Sequence, residues 1–128
     1  MSSTESVLII TDGSDKIIKT AEEIAKTLKK AVVRDASVFA GTDLLPADVV
    51  FIGCGEPSPS SFSYLYEMLQ HINLAGRKCG LFSTSKKALK YLCKMVKSSG
   101  IEVAAEPLLI ENSMNIRKWM EKCFPSRK

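Results

Sequence analysis

Apolar and polar residues follow two different periods along the chain, and the two take turns. Val7-Leu8-Ile9-Ile10 is a continuous apolar run closed by the polar turn Thr11-Asp12-Gly13-Ser14-Asp15, as expected of a strand buried on both faces. Ile17, Ile18, Ala21, Ile24, Ala25 and Leu28 then recur at helical spacing, with Glu22, Glu23, Lys26 and Lys29 opposite. That pattern predicts a helix from residues 14–16 to Lys30. Val32–Val38 alternates weakly around Arg34 and Asp35 and suits an edge strand. Asp48–Gly53 is the strongest strand pattern, and the Gly-, Pro- and Ser-rich stretch Cys54–Ser61 must be a loop. A helix is expected over Ser61–Ile72, with Phe62, Leu65, Tyr66, Leu69 and Ile72 on one stripe. Lys78–Phe82 reads as a strand, and Ser85–Ser99 as a helix stopped by Gly100. Ile101–Ile110 reads as the last strand, and Asn115–Phe124 as a closing helix with Ile116, Trp119, Met120 and Cys123 on one face.

Strands alternating with helices across short loops imply parallel βαβ units with right-handed crossovers. The expectation is a single α/β domain over residues 1–128, a doubly wound five-stranded parallel sheet with helices on both faces. In such sheets ligands bind at the carboxyl ends of the strands, here Thr11–Lys16, Cys54–Ser61 and Ser83–Lys86.

Composition narrows the function. The 128 residues are 45% hydrophobic and 25% charged, an ordinary globular balance. No apolar run approaches the ~18 residues of a membrane span. The polar N-terminus lacks the pattern of a secretory signal, so a cytoplasmic location is expected. Eighteen Lys+Arg against fourteen Asp+Glu give a formal charge of +4, mildly basic but without the basic–aromatic interleaving of a nucleic-acid binder. Cys54, Cys79, Cys93 and Cys123 form no Cys-x-x-Cys pair and His71 stands alone, so neither a metal site nor a redox pair is expected.

Motifs that would announce a chemistry are missing. There is no Gly-x-x-x-x-Gly-Lys-Ser/Thr run, no Gly-x-Gly-x-x-Gly after the first strand and no Gly-x-Ser-x-Gly elbow. A phospho-accepting receiver would end its third strand on Asp, where this chain has Gly53-Cys54. No side chain stands out as a catalytic acid, base or nucleophile, and a non-catalytic protein is the expectation.

The order of parts nevertheless carries a resemblance. It runs through Val7–Ile10 with its hydroxyl-bearing turn and Thr20-Ala21-Glu22-Glu23-Ile24-Ala25. It continues through Asp43-Leu44-Leu45-Pro46-Ala47-Asp48-Val49-Val50-Phe51-Ile52-Gly53-Cys54 and Gly76-Arg77-Lys78-Cys79-Gly80-Leu81-Phe82-Ser83-Thr84-Ser85, and ends in Gly100-Ile101-Glu102-Val103. Over nearly its whole length the chain resembles the flavodoxins. The resemblance implies strand order 2-1-3-4-5 and riboflavin phosphate (FMN) held non-covalently at the strand ends, in a small electron carrier with a redox partner protein. Carried over residue by residue, Thr11, Gly13, Ser14 and Lys16 would meet the phosphate. Gly55, Tyr64, Ser83, Thr84 and Ser85 would surround the ring.

Two departures bear on that reading. Asp12 and Asp15 place carboxylates in the phosphate loop, with Lys16 as the offsetting cation. The second loop lacks the family's Tyr/Trp-Gly stretch, leaving Tyr64 as the stacking candidate and Phe62 as core. The alternative function is therefore a flavodoxin-like domain that has lost FMN and serves as a protein-binding or regulatory module. The remaining residues have simpler expected roles: Cys54 a buried thiol, His71 a solvated helix end, Trp119 core, and Ser83 or Ser85 a helix cap. Lys86, Lys87, Lys90, Lys94 and Lys97 read as a solvated face or as a surface for an acidic partner.

Overall fold

The computed structural model describes residues 6–28, 31–38, 44, 46–57, 59–104, 106–110, 116 and 118–119 of the chain. Its elements are β1 (Val7–Thr11), α1 (Asp15–Lys26), β2 (Ala31–Asp35), β3 (Val49–Gly53), α2 (Ser63–His71), β4 (Lys78–Ser83), α3 (Lys86–Lys97), β5 (Glu102–Val103) and β6 (Leu108–Leu109). Every strand pair is parallel, in the order β2-β1-β3-β4-β5, with β6 also on β4. This is the order that the resemblance implies, with a sixth strand added.

Burial explains the strand patterns. All residues of β1 and β3 are buried because each strand has neighbours on both sides and a layer of apolar side chains on both faces. β2 lies at the edge and alternates half-buried with exposed, which is why its sequence signal is weak. Successive residues point to opposite faces. Leu8, Ile10, Val50, Ile52, Cys79 and Leu81 pack with Leu65 and Leu69 of α2 and Leu92, Met95 and Val96 of α3. Val7, Ile9, Val49, Phe51 and Phe82 pack with Ile17, Ala21 and Ile24 of α1 and with Trp119. On this second face Gly80 is required by space: a Cβ there would stand 2.6 Å from the Phe51 ring and 3.0 Å from Trp119.

Four expectations change in detail. Helix α1 ends at Lys26 rather than Lys30, because the Thr27 hydroxyl donates to the Ile24 carbonyl at 2.8 Å and the chain turns. The helix expected from Ser61 opens as a 3-10 turn over Ser60–Phe62 before α2 begins. Tyr66 leaves the buried stripe and stacks on Tyr91 of α3, ring centroids 6.2 Å apart. The strand expected over Ile101–Ile110 is broken into β5 and β6. Cys79 and Phe82 of β4 face Val103 and Leu108, so the edge strand carries two more residues than its neighbour over that interval.

Gly100 does stop α3: its φ is 79°, in the left-handed region that glycine alone enters freely, and its N–H donates to the Lys97 carbonyl. Ile116, Lys118 and Trp119 are helical as expected, and the rest of Asn115–Phe124 lies outside the described residues. Trp119 is buried, its indole N–H donating to the Glu106 carbonyl at 2.8 Å. Among the described residues no helix is long and apolar enough to cross a membrane.

Candidate functional site

Parallel strands feeding helices bring three loops to one end of the sheet: after β1, after β3 and after β4. The contact that joins them is made by Asp12. Its Oδ1 accepts from the Ser14 N–H at 3.0 Å and from the Ser14 hydroxyl at 2.6 Å. Its Oδ2 reaches across and accepts from the Gly55 N–H at 2.8 Å. A Cβ at Gly55 would lie 3.3 Å from Ser14 Oγ, 3.8 Å from Asp12 Oδ2 and 3.8 Å from Thr84 Oγ1. Glycine thus leaves backbone bare where all three loops converge.

Asp12-Gly13-Ser14 has a twin. Asp35 Oδ1 accepts from the N–H and the hydroxyl of Ser37 at 2.8 Å and 2.6 Å, so the neighbouring strands β1 and β2 both end in an Asp-x-Ser turn. Gly13 sits between them with φ of 89°, and a Cβ there would come within 3.0 Å of Asp35 Oδ2. Its conformation and its crowding both call for glycine.

The N-terminus of α1 opens into this cluster. Ser14 is its N-cap residue, yet the Ser14 hydroxyl bonds Asp12 and caps no helix N–H. The first-turn amides of α1 therefore have no side-chain cap, and Asp15 and Lys16 on that turn are exposed. The N-terminus of α3 is built differently. Ser85 Oγ accepts from the Ala88 N–H at 3.3 Å, and the buried Ser83 hydroxyl accepts from the Ser85 N–H at 3.0 Å. Both serines thereby finish the β4–α3 turn, Ser85 being the cap.

The nine carried-over positions fall into three groups. Ser14 and Thr84 come together with Asp12 around Gly55, with Gly13 and Lys16 on the adjoining turn. Thr11, Ser83 and Ser85 serve the fold: Thr11 is buried and its carbonyl accepts from Ala36 N at 2.8 Å, while Ser83 holds the turn and Ser85 caps α3. Tyr64 stands on the first turn of α2, 50% exposed. Asp12 is the residue that sequence reasoning read only as a repelling charge. The sign of its structural role was the Asp-x-Ser spacing, which favours an Asx turn.

Cys54 borders the cluster and is fully buried. Burial pushes its thiol up to about 12, the charge of Asp12 adds to the rise, and the small lowering from a backbone hydrogen bond at Glu56 does not offset it. Thiolate chemistry needs the opposite shift.

The outer face of α3 is strongly basic. Lys86, Lys87, Lys90, Lys94 and Lys97 are all exposed, and none makes an ion pair among the described residues. On α2, His71 is exposed and 3.5 Å from Glu67.

No protein-family model matches the sequence, and no curated protein matches it at significance. Solved structures do match. A short-chain flavodoxin associated with a PDU bacterial microcompartment superposes with a TM-score of 0.76 at 14% identity, covering 94% of this chain and 97% of the other. The flavodoxin of Streptococcus pneumonia TIGR4 gives a TM-score of 0.70 at 17% identity, covering 93% and 94%. A Fusobacterium nucleatum flavodoxin bound to flavin mononucleotide gives 0.63 at 14% identity, covering 88% and 82%.

Proposed function

From a chain with the flavodoxin fold, we propose a flavin-binding electron carrier that holds FMN non-covalently at the carboxyl ends of β1, β3 and β4. The observation that supports this best is the meeting of Ser14, Gly55 and Thr84 beside the uncapped N-terminus of α1. A bare glycine backbone lets a flat ligand approach closely, and helix amides without a side-chain cap favour an anion. Gly13, Ser14 and Lys16 would lie toward the phosphate, with Thr11 buried behind them as support. Gly55, Tyr64 and Thr84 would border the ring, and Ser83 and Ser85 would hold the third loop in shape.

The flavin, when bound, supplies all of the redox chemistry. The chain's part is to orient the ring and to present a surface to the partner. The exposed lysines of α3 and the net charge of +4 favour an acidic redox partner, with an on-rate that falls as salt rises.

A second reading is favoured by one specific observation. Asp12 already takes the Ser14 N–H, the Ser14 hydroxyl and the Gly55 N–H, which suits a domain that binds proteins without flavin. The visible absorbance of the purified chain, followed by FMN titration with fluorescence detection, separates the two. A bound chromophore or saturable quenching is the expected result. A folded chain that leaves FMN fluorescence unchanged would refute the carrier and leave the binding module.

A further inference from the structure

The candidate site contains one group that a phosphate-holding loop does not call for, a carboxylate already installed among the donors. Asp12 Oδ1 holds the N–H and hydroxyl of the α1 N-cap residue, and Oδ2 holds the N–H of Gly55 across the site. It is an anion already resident beside that helix terminus, bonded to the N-cap residue and not to the first-turn amides. Most of the charges near it in the chain have the same sign. Asp15 follows on the first turn of α1, Asp35 Oδ2 crowds Gly13 from β2, and Glu56 follows Gly55, with Lys16 the cation of the turn.

We propose that Asp12 sets the ligand selectivity of the site, taking the place of the ligand's phosphate and making the pocket indifferent to whether a flavin carries one. This rests on the flavin reading above. An incoming phosphate dianion would face the Asp12 charge, and it could reach the Ser14 and Gly55 donors only by displacing that carboxylate. Displacement would also undo the bond that ties the first loop to the second. The isoalloxazine and ribityl portions carry no such conflict, so binding free energy comes from the ring, and what the uncapped α1 amides offer a phosphate is offset by its repulsion from Asp12. The chemical class this site accepts is the uncharged flavin, riboflavin, on equal terms with FMN.

The test compares riboflavin, FMN and inorganic phosphate on the full chain and on two variants. Asp12→Asn keeps an acceptor for Ser14 and removes the charge. Asp12→Ser removes both the charge and the reach to Gly55. Circular dichroism establishes that each is folded. In the wild type the two flavins bind with dissociation constants within about threefold, and millimolar phosphate leaves the melting temperature unchanged. In the variants FMN tightens by about tenfold or more over riboflavin, the size expected for removing one close like charge, and phosphate raises the melting temperature. Wild-type FMN binding more than about tenfold tighter than riboflavin overturns the proposal. So does a flavin ratio that neither variant changes, and the flavin reading survives both results. If neither flavin binds any folded variant, the flavin reading falls and the proposal with it.

Discussion

Replacing Gly80 by alanine puts a methyl group where Phe51 already lies. The new Cβ would stand 2.6 Å from two ring carbons of Phe51 and 3.0 Å from Trp119, whereas ordinary contact begins near 3.4 Å. The Phe51 ring would have to retreat by roughly 0.8 Å, and it is fully buried with its centroid 5.5 Å from Trp119. Overpacking of this kind costs about 2–3 kcal/mol. Alanine returns about 0.5–1 kcal/mol by restricting the unfolded chain. The net loss is about 1–2.5 kcal/mol, which for 128 residues lowers the melting temperature by about 4–9 °C. Thermal unfolding followed by circular dichroism measures this, and the single Trp reports on the same site by fluorescence. Phe51→Leu supplies the control, because it makes room for the methyl. The double variant should be less destabilised than the sum of the singles by about 1 kcal/mol. A Gly80→Ala protein that melts with the wild type, or singles that simply add, would refute the packing argument.

Three further predictions concern the strand-end turns. With its thiol pushed up to about 12 from 9.0, Cys54 is about a thousandfold poorer in thiolate than an ordinary cysteine at pH 7. Alkylation with peptide mapping should therefore find it unlabelled in the native chain and labelled in urea; equal labelling in both would contradict its burial. The folded state holds the proton more tightly than the unfolded state. That contribution to stability is complete below pH 9 and should decline toward pH 12, as a falling urea midpoint relative to Cys54→Ala. Ser85→Ala removes the acceptor of the Ala88 N–H and should cost about 1 kcal/mol in denaturant unfolding, with Ser85→Asp recovering it. An alanine variant as stable as the wild type would show that the cap is idle.

The layered sheet was legible because its signal is redundant. β1, β3 and β4 are buried on both faces, so nearly every residue in them is apolar and no single position decides the reading. Helices α1 and α3 keep a strict stripe, and Ser85 and Gly100 mark the boundaries of α3 by known chemistry. What local pattern could not carry depended on contacts distant in sequence. Tyr66 has the spacing of a core residue and is drawn out to Tyr91. The break between β5 and β6 follows from registers set by β4, which a continuous apolar–polar pattern does not reveal. At the strand ends the convergence of loops could be expected from topology. The bond from Asp12 to Gly55 spans 43 positions, and no spacing rule reaches that far. Its local half was readable, because Asp12-Gly13-Ser14 and Asp35-Ala36-Ser37 share the turn-forming Asp-x-Ser order.

The interruption between β5 and β6 also governs how the sheet meets other chains. An open parallel sheet has two margins, and an unpaired strand margin recruits strands from neighbouring molecules. Among the described residues the margin beyond β4 is made of two runs of two residues each, out of step by the two-residue excess between them. A foreign strand docking there finds a pair of hydrogen-bonding groups, loses register, and must bend before it finds the next pair. Growth by strand addition is therefore stalled at its first step on this side. The chain can keep three strands of nearly unbroken apolar sequence at its centre without offering them a route to aggregation along that margin.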